Sequence, residues 1–214
     1  MPSDPLILGF DTSAAHCAAA LLRGTTLLES RIEEMAKGQA ERLMPMLQEM
    51  LARHGAGWHD LAALGVGIGP GNFTGVRIAV SAARGLALAL GVPAVGVSTL
   101  EAQALGLPRP LTVAMDARRG EVYVQHFGPD GGPALMALDQ VTGVQGALTG
   151  SAAAELAERL PQARVLPAVQ PLPEAIARIA AQRRTLPLPR PAPLYLRAAD
   201  ACPPSDPAPL ILEG

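Results

Sequence analysis

Residues 65–90 read GVGIGPGNFTGVRIAVSAARGLALAL, and the fold follows from how they are parsed. The apolar start is the end of a buried strand. Gly69, Gly71 and Gly75 then punctuate a loop, and Asn72 and Thr74 are placed to cap a helix beginning near Gly75. That helix, 76–90, is apolar almost all round. A helix with so little polar surface either fills a core or covers a second protein. Its polar residues Arg77, Ser81 and Arg84 form a narrow stripe at i, i+4 and i+7, and alanines leave much of the remaining surface small enough for close helix packing. The two arginines must reach solvent or a carboxylate, since a buried unpaired charge is costly. As a phosphate cradle the loop is poorly equipped: it lacks the Lys-[ST] of a P-loop and the GxGxxG spacing of a dinucleotide fold.

Working back from this stretch, residues 61–68 (LAALGVGI) supply its lead-in and strand, and Gly55-Ala56-Gly57 ends a preceding helix. That helix, 38–54, repeats Ala40, Leu43, Met44, Leu47, Met50 and Leu51 at three- and four-residue spacing, and Met46 widens the stripe. Pro45 should bend the helix or lie in its first turn. The apolar stripe spans nearly half the circumference, more than one neighbour needs, so part of it is expected to face a partner. Farther back, 6–10 (LILGF) reads as a buried strand ending at Asp11-Thr12-Ser13. A hairpin over 16–22 and 26–32 follows, turning at Arg23-Gly24-Thr25.

Forward of the stretch, 92–97 is another strand, and Ser98-Thr99-Leu100-Glu101 opens a helix with a capping-box pattern. Composition then shifts: five of the 21 prolines precede Pro108. A lobe boundary is placed there, dividing the chain into 1–107 and 108–214. The second lobe opens like the first, with a strand 111–116 ending on Asp116, a turn at 117–120, and a strand 121–127. Each lobe thus begins strand–Asp–turn–strand, an internal duplication. Residues 152–159 and 173–184 read as helices, 187–193 as extended chain, and 203–214 as a proline-rich mobile tail.

Composition limits the function. The net charge is −2, with aromatics at 3%, which argues against a stand-alone nucleic-acid binder with a basic surface or stacking platforms. Cys17 and Cys202 lie far apart with no CxxC spacing, so neither a disulfide framework nor a structural zinc site is expected. The N-terminal segment lacks a basic n-region, and apolar runs are broken by Arg and Gly before reaching spanning length; a cytoplasmic setting with no membrane contact is expected. No GxSxG elbow is present, and none of His16, His54, His59 and His126 has an evident Ser or Cys partner or metal-ligand spacing.

Five segments carry a family resemblance: FDTS at 10–13, GIGPGNFTGVRI at 67–78, GVSTLEA at 96–102, DARRGEVY at 116–123 and PLYLR at 193–197. In these the chain resembles the TsaB (YeaZ) family, partners in making threonylcarbamoyladenosine on tRNA. The long loop-and-helix motif and DARRGEVY are specific; DTS alone is not. The resemblance implies an α/β fold of two actin/Hsp70/sugar-kinase-like (ASKHA) lobes, each with a mixed sheet and helices, in keeping with the duplicated theme. It further implies a non-catalytic role. The similar TsaD transferases carry a metal-binding HxExH in the stretch matching 97–103, where this chain has Thr99, Glu101 and Gln103, so the transferase metal site should be absent. Gln39 stands where the family often has a histidine.

The partner implied is a TsaD-like transferase, with a TsaE-like ATPase in a larger complex, tRNA contacted through that complex, and a homodimer in isolation. The candidate interface is Leu43, Met46, Leu47 and Met50 on the first helix, with Arg77, Val80, Ala83 and Arg84 on the second. No cofactor is required. Asp11, Thr12, Ser13 and Asp116 stand where this fold class contacts phosphates, which leaves room for weak ATP or ADP binding. The alternative function is therefore a nucleotide-binding enzyme, with a glycoprotease-like hydrolase behind it.

Overall fold

The computed structural model describes residues 4–128, 131–144, 146–160 and 162–197. The tail expected over 203–214 and Cys202 lie outside the described residues.

Two five-stranded mixed sheets form the framework. In the first, β1 (Leu6–Asp11), β2 (His16–Arg23) and β3 (Thr26–Glu34) are antiparallel neighbours, and β4 (Leu61–Gly67) and β5 (Ala94–Val97) continue parallel from β1. The spatial order is β3-β2-β1-β4-β5. Between these strands come α1 (Gln39–Arg53) and α2 (Phe73–Leu90), and α3 (Thr99–Ala104) follows β5. The second sheet repeats the plan. β6 (Leu111–Asp116), β7 (Glu121–Phe127) and β8 (Pro133–Ala137) are antiparallel, and β9 (Ala147–Thr149) and β10 (Arg164–Val165) run parallel from β6. The order is β10-β9-β6-β7-β8, so the duplication read from two strand pairs extends to all five strands. α4 (Ala153–Arg159) and α5 (Leu172–Arg183) complete the α-helices.

Strand alternation sorts the first sheet's two faces. Leu8 and Phe10 of β1, Ala19 and Leu21 of β2, and Leu64 and Val66 of β4 point to one side, where they join α1 and α2 in a single core. Ile7, Ala20, Leu22 and Ala63 point to the other, against α3 and α5. On that side the packing is very close. A Cβ on Gly9 would lie 2.6 Å from the Ala177 backbone nitrogen, and one on Gly65 would lie 2.8 Å from the Ala180 Cβ. Gly65 is thus glycine because α5 lies directly on the strand.

The sheets keep to either side of residues 105–110, but α5, which comes last in the chain, packs on the first sheet. Glu101 of α3 is ion-paired with Arg183 of α5. α3 also bridges the lobes, since Leu100 and Ala104 share a core with Leu111, Val113 and Ala147. Beyond α5, Pro191 is buried and touches the Gly96 position on edge strand β5, and Leu194 N donates to Ile68 O at 2.8 Å. Prolines suit an edge, where no ladder donor is required.

α2 starts at Phe73, two residues before the expected Gly75, and Asn72 alone caps it, its side chain accepting from Gly75 N at 2.9 Å. By length and composition α2 could cross a bilayer, whereas the sequence reading finds no run long enough; the arginines that break the run do not break the helix. Its inner face lies in the first lobe's core.

Candidate functional site

The DTS corner and the glycine loop are interlocked. Thr12 Oγ1 donates to Gly75 O at 2.6 Å, and Asn72 N donates to Ser13 O at 2.6 Å. A Cβ would lie 1.8 Å from Asp11 Oδ2 if placed on Gly67, 2.4 Å from Ser13 O on Gly71, and 1.8 Å from Thr12 O on Gly75. Three glycines are therefore set against three consecutive residues of the corner. Thr99 holds the other edge of the loop: its N donates to Gly69 O at 2.8 Å and its Oγ1 to Pro70 O at 3.0 Å.

Asp11, Thr12 and Ser13 are buried. Asp11 Oδ1 accepts from Ser13 N and Ser13 Oγ, both at 2.8 Å, and lies 2.9 Å from His16 Nε2. Asp11 Oδ2 has no partner and faces the Gly67 wall. The His16 contact has one sequence signal, the hairpin register that sets His16 beside the end of β1. Ser13 and His16 each bond Asp11 and not each other, so the geometry lacks the hydroxyl–imidazole contact that activates a nucleophile. Asp116 is exposed at the end of β6 and accepts from Arg118 N at 2.8 Å. A nucleotide phosphate would need free hydroxyls or N–H donors at the corner. The Thr12 and Ser13 hydroxyls already donate within the chain, to Gly75 O and Asp11 Oδ1, so neither is offered to a phosphate in this arrangement. Among the described residues no three His, Cys, Asp or Glu side chains converge as a metal site would require.

The expected interface residues divide sharply. Leu43, Met46, Leu47, Met50, Val80 and Ala83 are all buried in the first lobe's own core, which corrects their placement at a partner surface. The wide stripe on α1 is filled by two neighbours at once, the sheet and α2, and of its leucines and methionines only Met44 stays exposed. Arg77 and Arg84 are exposed. The surface α2 offers outward consists of Ser81, Gly85, Leu88 and Ala89, with Ile78 and Ala82 half-buried beside them. Leu88 is 83% exposed, and a Cβ placed on Gly85 would have nothing within 4 Å. A groove of about 530 Å³ continues this surface, lined among others by Arg84, Leu88, Val92, Leu186, Leu188 and Arg190.

Charge is organised on the opposite flank of α1. Arg42 reaches both Glu33 of β3 (2.6 and 2.8 Å) and Glu49 one helical face along (2.7 and 2.9 Å), and Arg31 pairs with the same two carboxylates. Arg42, followed by Arg31, holds Glu49 down to about 2, and Arg42 likewise lowers Glu33. Burial, followed by the nearby Glu33 charge, pushes the Cys17 thiol up to about 11, so it behaves as a core residue.

Comparison with known proteins agrees with this architecture. The family model for TsaD, tRNA N6-adenosine threonylcarbamoyltransferase, matches residues 29–191. The chain is 40% identical over 129 residues to the tRNA threonylcarbamoyladenosine biosynthesis protein TsaB of Escherichia coli, covering 58% of this chain and 55% of that protein. It is 36% identical over 207 residues to an uncharacterized protein of Mycobacterium bovis, covering 92% and 94%. The chain spans about half the length of the TsaB relatives from E. coli, Haemophilus influenzae and Bacillus subtilis that it matches (51–55%). Among solved structures, YeaZ from Pseudomonas aeruginosa superposes with a TM-score of 0.68 at 29% identity, over 90% of this chain and all of that one. Component A of (R)-2-hydroxyglutaryl-CoA dehydratase from Acidaminococcus fermentans shares the fold alone (TM-score 0.54, 12% identity, 84% and 99% covered). With its duplicated ASKHA-like sheets, its interlocked glycine loop and these relatives, the chain belongs to the TsaB (YeaZ) family.

Proposed function

We propose that this chain is a non-catalytic partner of a TsaD-like transferase in the threonylcarbamoylation of adenosine 37 of ANN-decoding tRNAs. It works in the cytoplasm by forming a heterodimer through its first lobe. A TsaE-like ATPase joins the pair, tRNA is reached through the complex, and the isolated chain pairs with itself through the same surface. The observation that carries the reading is the outer face of α2. An 18-residue helix presents Ser81, Gly85, Leu88 and Ala89 outward, with nothing of the described chain over Gly85. Small side chains allow a second helix to approach closely, and burying such a face contributes roughly 25 cal/mol per Å² before ordering costs.

The corner chemistry supports the same side. The hydroxyls of Thr12 and Ser13 are occupied internally, and Thr99 clamps a loop where a transferase would bind metal. The nucleotide-binding and hydrolase readings find no comparable support. The test is reconstitution: purified transferase, ATPase and tRNA are assayed for modified adenosine with and without this chain. Modification that depends on adding the chain supports the reading. Full modification in its absence, or Mg-ATP hydrolysis by the chain alone, overturns it.

A further inference from the structure

At the start of α2 two side chains four residues apart and a third from far along the chain form one exposed cluster. The Arg77 guanidinium lies over the Phe73 ring, its central carbon 3.7 Å from the ring centroid, and its Nε donates to the Tyr195 hydroxyl at 2.7 Å. The Phe73 and Tyr195 rings are themselves in contact, centroids 5.1 Å apart at 32°. Tyr195 is brought there from 118 positions along the chain by anchors on both sides. Leu194 N bonds to Ile68 O, and Arg197 bonds to Glu121 Oε2 and Ala117 O of the second lobe. Yet both rings stay nearly half exposed, at 45% and 46%.

Arg77 lies outside the ion-paired set of arginines, as does Arg109, which sits over Phe127 and donates to backbone carbonyls. Arg31, Arg42, Arg53, Arg178, Arg183 and Arg197 all rest on carboxylates. Among the described residues no carboxylate pairs with Arg77, whose one hydrogen bond is to a neutral phenol. Its Nε is held by Tyr195 and one face by Phe73, so the guanidinium is oriented before anything binds. A guanidinium fixed in this way takes a carboxylate at lower ordering cost than a free arginine would. Arginine flanked by exposed aromatics is also the composition enriched where interface energy concentrates.

We propose that Phe73, Arg77 and Tyr195 form a preorganised receptor for an aspartate or glutamate side chain of the transferase, at the end of the α2 face opposite Leu88. The inference rests on the heterodimer reading above. A protein carboxylate is favoured over an RNA phosphate because the cluster continues into the small, apolar outer face of α2. The chain's net charge of −2 also gives it no overall basic excess of the kind that draws nucleic acid. Tyr195 and Phe73 are positioning residues; Arg77 makes the contact.

Binding of the full chain to the purified transferase, measured by calorimetry at two salt concentrations, tests this. Tyr195→Phe keeps the ring and removes the bond to Nε, and is expected to weaken binding about three- to ten-fold with an unchanged melting temperature. Arg77→Gln is expected to weaken it at least about ten-fold and to flatten the salt dependence, which loss of shape alone would not do. Arg77→Lys, which keeps the charge but not the fork, should fall between wild type and Arg77→Gln. If wild type binds and all three variants match it in affinity and salt response, the receptor is refuted while the heterodimer stands. If the variants keep transferase affinity but lose direct tRNA binding, the cluster reads nucleic acid and the proposal is wrong. If wild type itself fails to bind, both readings fall together.

Discussion

Thr12 and Gly75 grip each other across 63 positions of sequence: the threonine hydroxyl donates to the glycine carbonyl at 2.6 Å, and a Cβ on the glycine would lie 1.8 Å from the threonine carbonyl oxygen. This contact turns what resembles a phosphate loop into a seam between β1 and α2. A Cβ on Gly71 would likewise meet a backbone oxygen, that of Ser13, while one on Gly67 would meet the Asp11 carboxylate. The glycines at 71 and 75 therefore follow from the backbone approach of two segments of the same chain, and Gly67 from the room the buried Asp11 carboxylate needs.

Substituting Gly75 by alanine must displace backbone, not a flexible side-chain end. The expected loss is about 1–3 kcal/mol or more, the range for forced overpacking, read as a drop in denaturation midpoint. The control lies on the same helix. Gly85→Ala meets open space at a helical position and is expected to stabilise by roughly 0.5–1 kcal/mol.

Thr99 offers a second check on the loop. Thr99→Val keeps the shape but leaves the Pro70 carbonyl without its donor in a buried setting. The expected cost is about 1–3 kcal/mol, with Thr99→Ser retaining most of the stability. Chemical denaturation of the three proteins measures it. Equal stability of valine and wild type would show that the clamp contributes nothing.

Placing a charge at Met50 or Ala83 should unfold the first lobe instead of reporting on a partner, because both side chains are fully buried. Met50→Asp and Ala83→Asp are expected to lose several kcal/mol, the scale for an unpaired buried charge, and to express as unfolded or aggregated protein. A native melting curve for either variant would contradict the packing described for α1 and α2.

The strands legible in the sequence are those with a clear local pattern. β1, β2, β4, β6 and β7 stand within a residue or so of the expected spans, since alternating or continuous apolar runs bounded by Gly, Asp or Pro leave few alternatives. β8, β9 and β10 escape such a reading: they are short, lie at or near a sheet edge, and β8 and β10 hold half-buried or exposed residues that carry little periodicity. The α1 and α2 stripes read correctly as apolar but do not name their neighbour. Periodicity marks a buried face without saying whether sheet, helix or partner buries it. Leu43, Met46, Leu47 and Met50 are inside for that reason, while Phe73 and Tyr195 lie too far apart for any sequence window to join.

The Arg31–Glu33–Arg42–Glu49 network predicts a pH and salt response. Both carboxylates are held below their ordinary value of 4.5, Glu49 to about 2. Their stabilising contribution is complete above that ordinary value and is lost as pH falls through 4.5 toward 2. The groups are partly exposed, so the effect is modest and screened. Acid titration of the folded chain should show an unfolding limb that high salt flattens and that Arg42→Gln moves to higher pH. An acid limb unaffected by either change would show that the network is energetically idle.

The outer face of α2 is the centre of the functional account, and a single charged side chain there tests it most directly. Gly85→Glu fits the open surface without disturbing the core, so its melting temperature should match or exceed wild type. The measurement is the affinity of this variant for the purified TsaD-like transferase. The account predicts a loss of about ten-fold or more, with loss of tRNA modification in the reconstituted system. Wild-type affinity and wild-type modification by folded Gly85→Glu would contradict it.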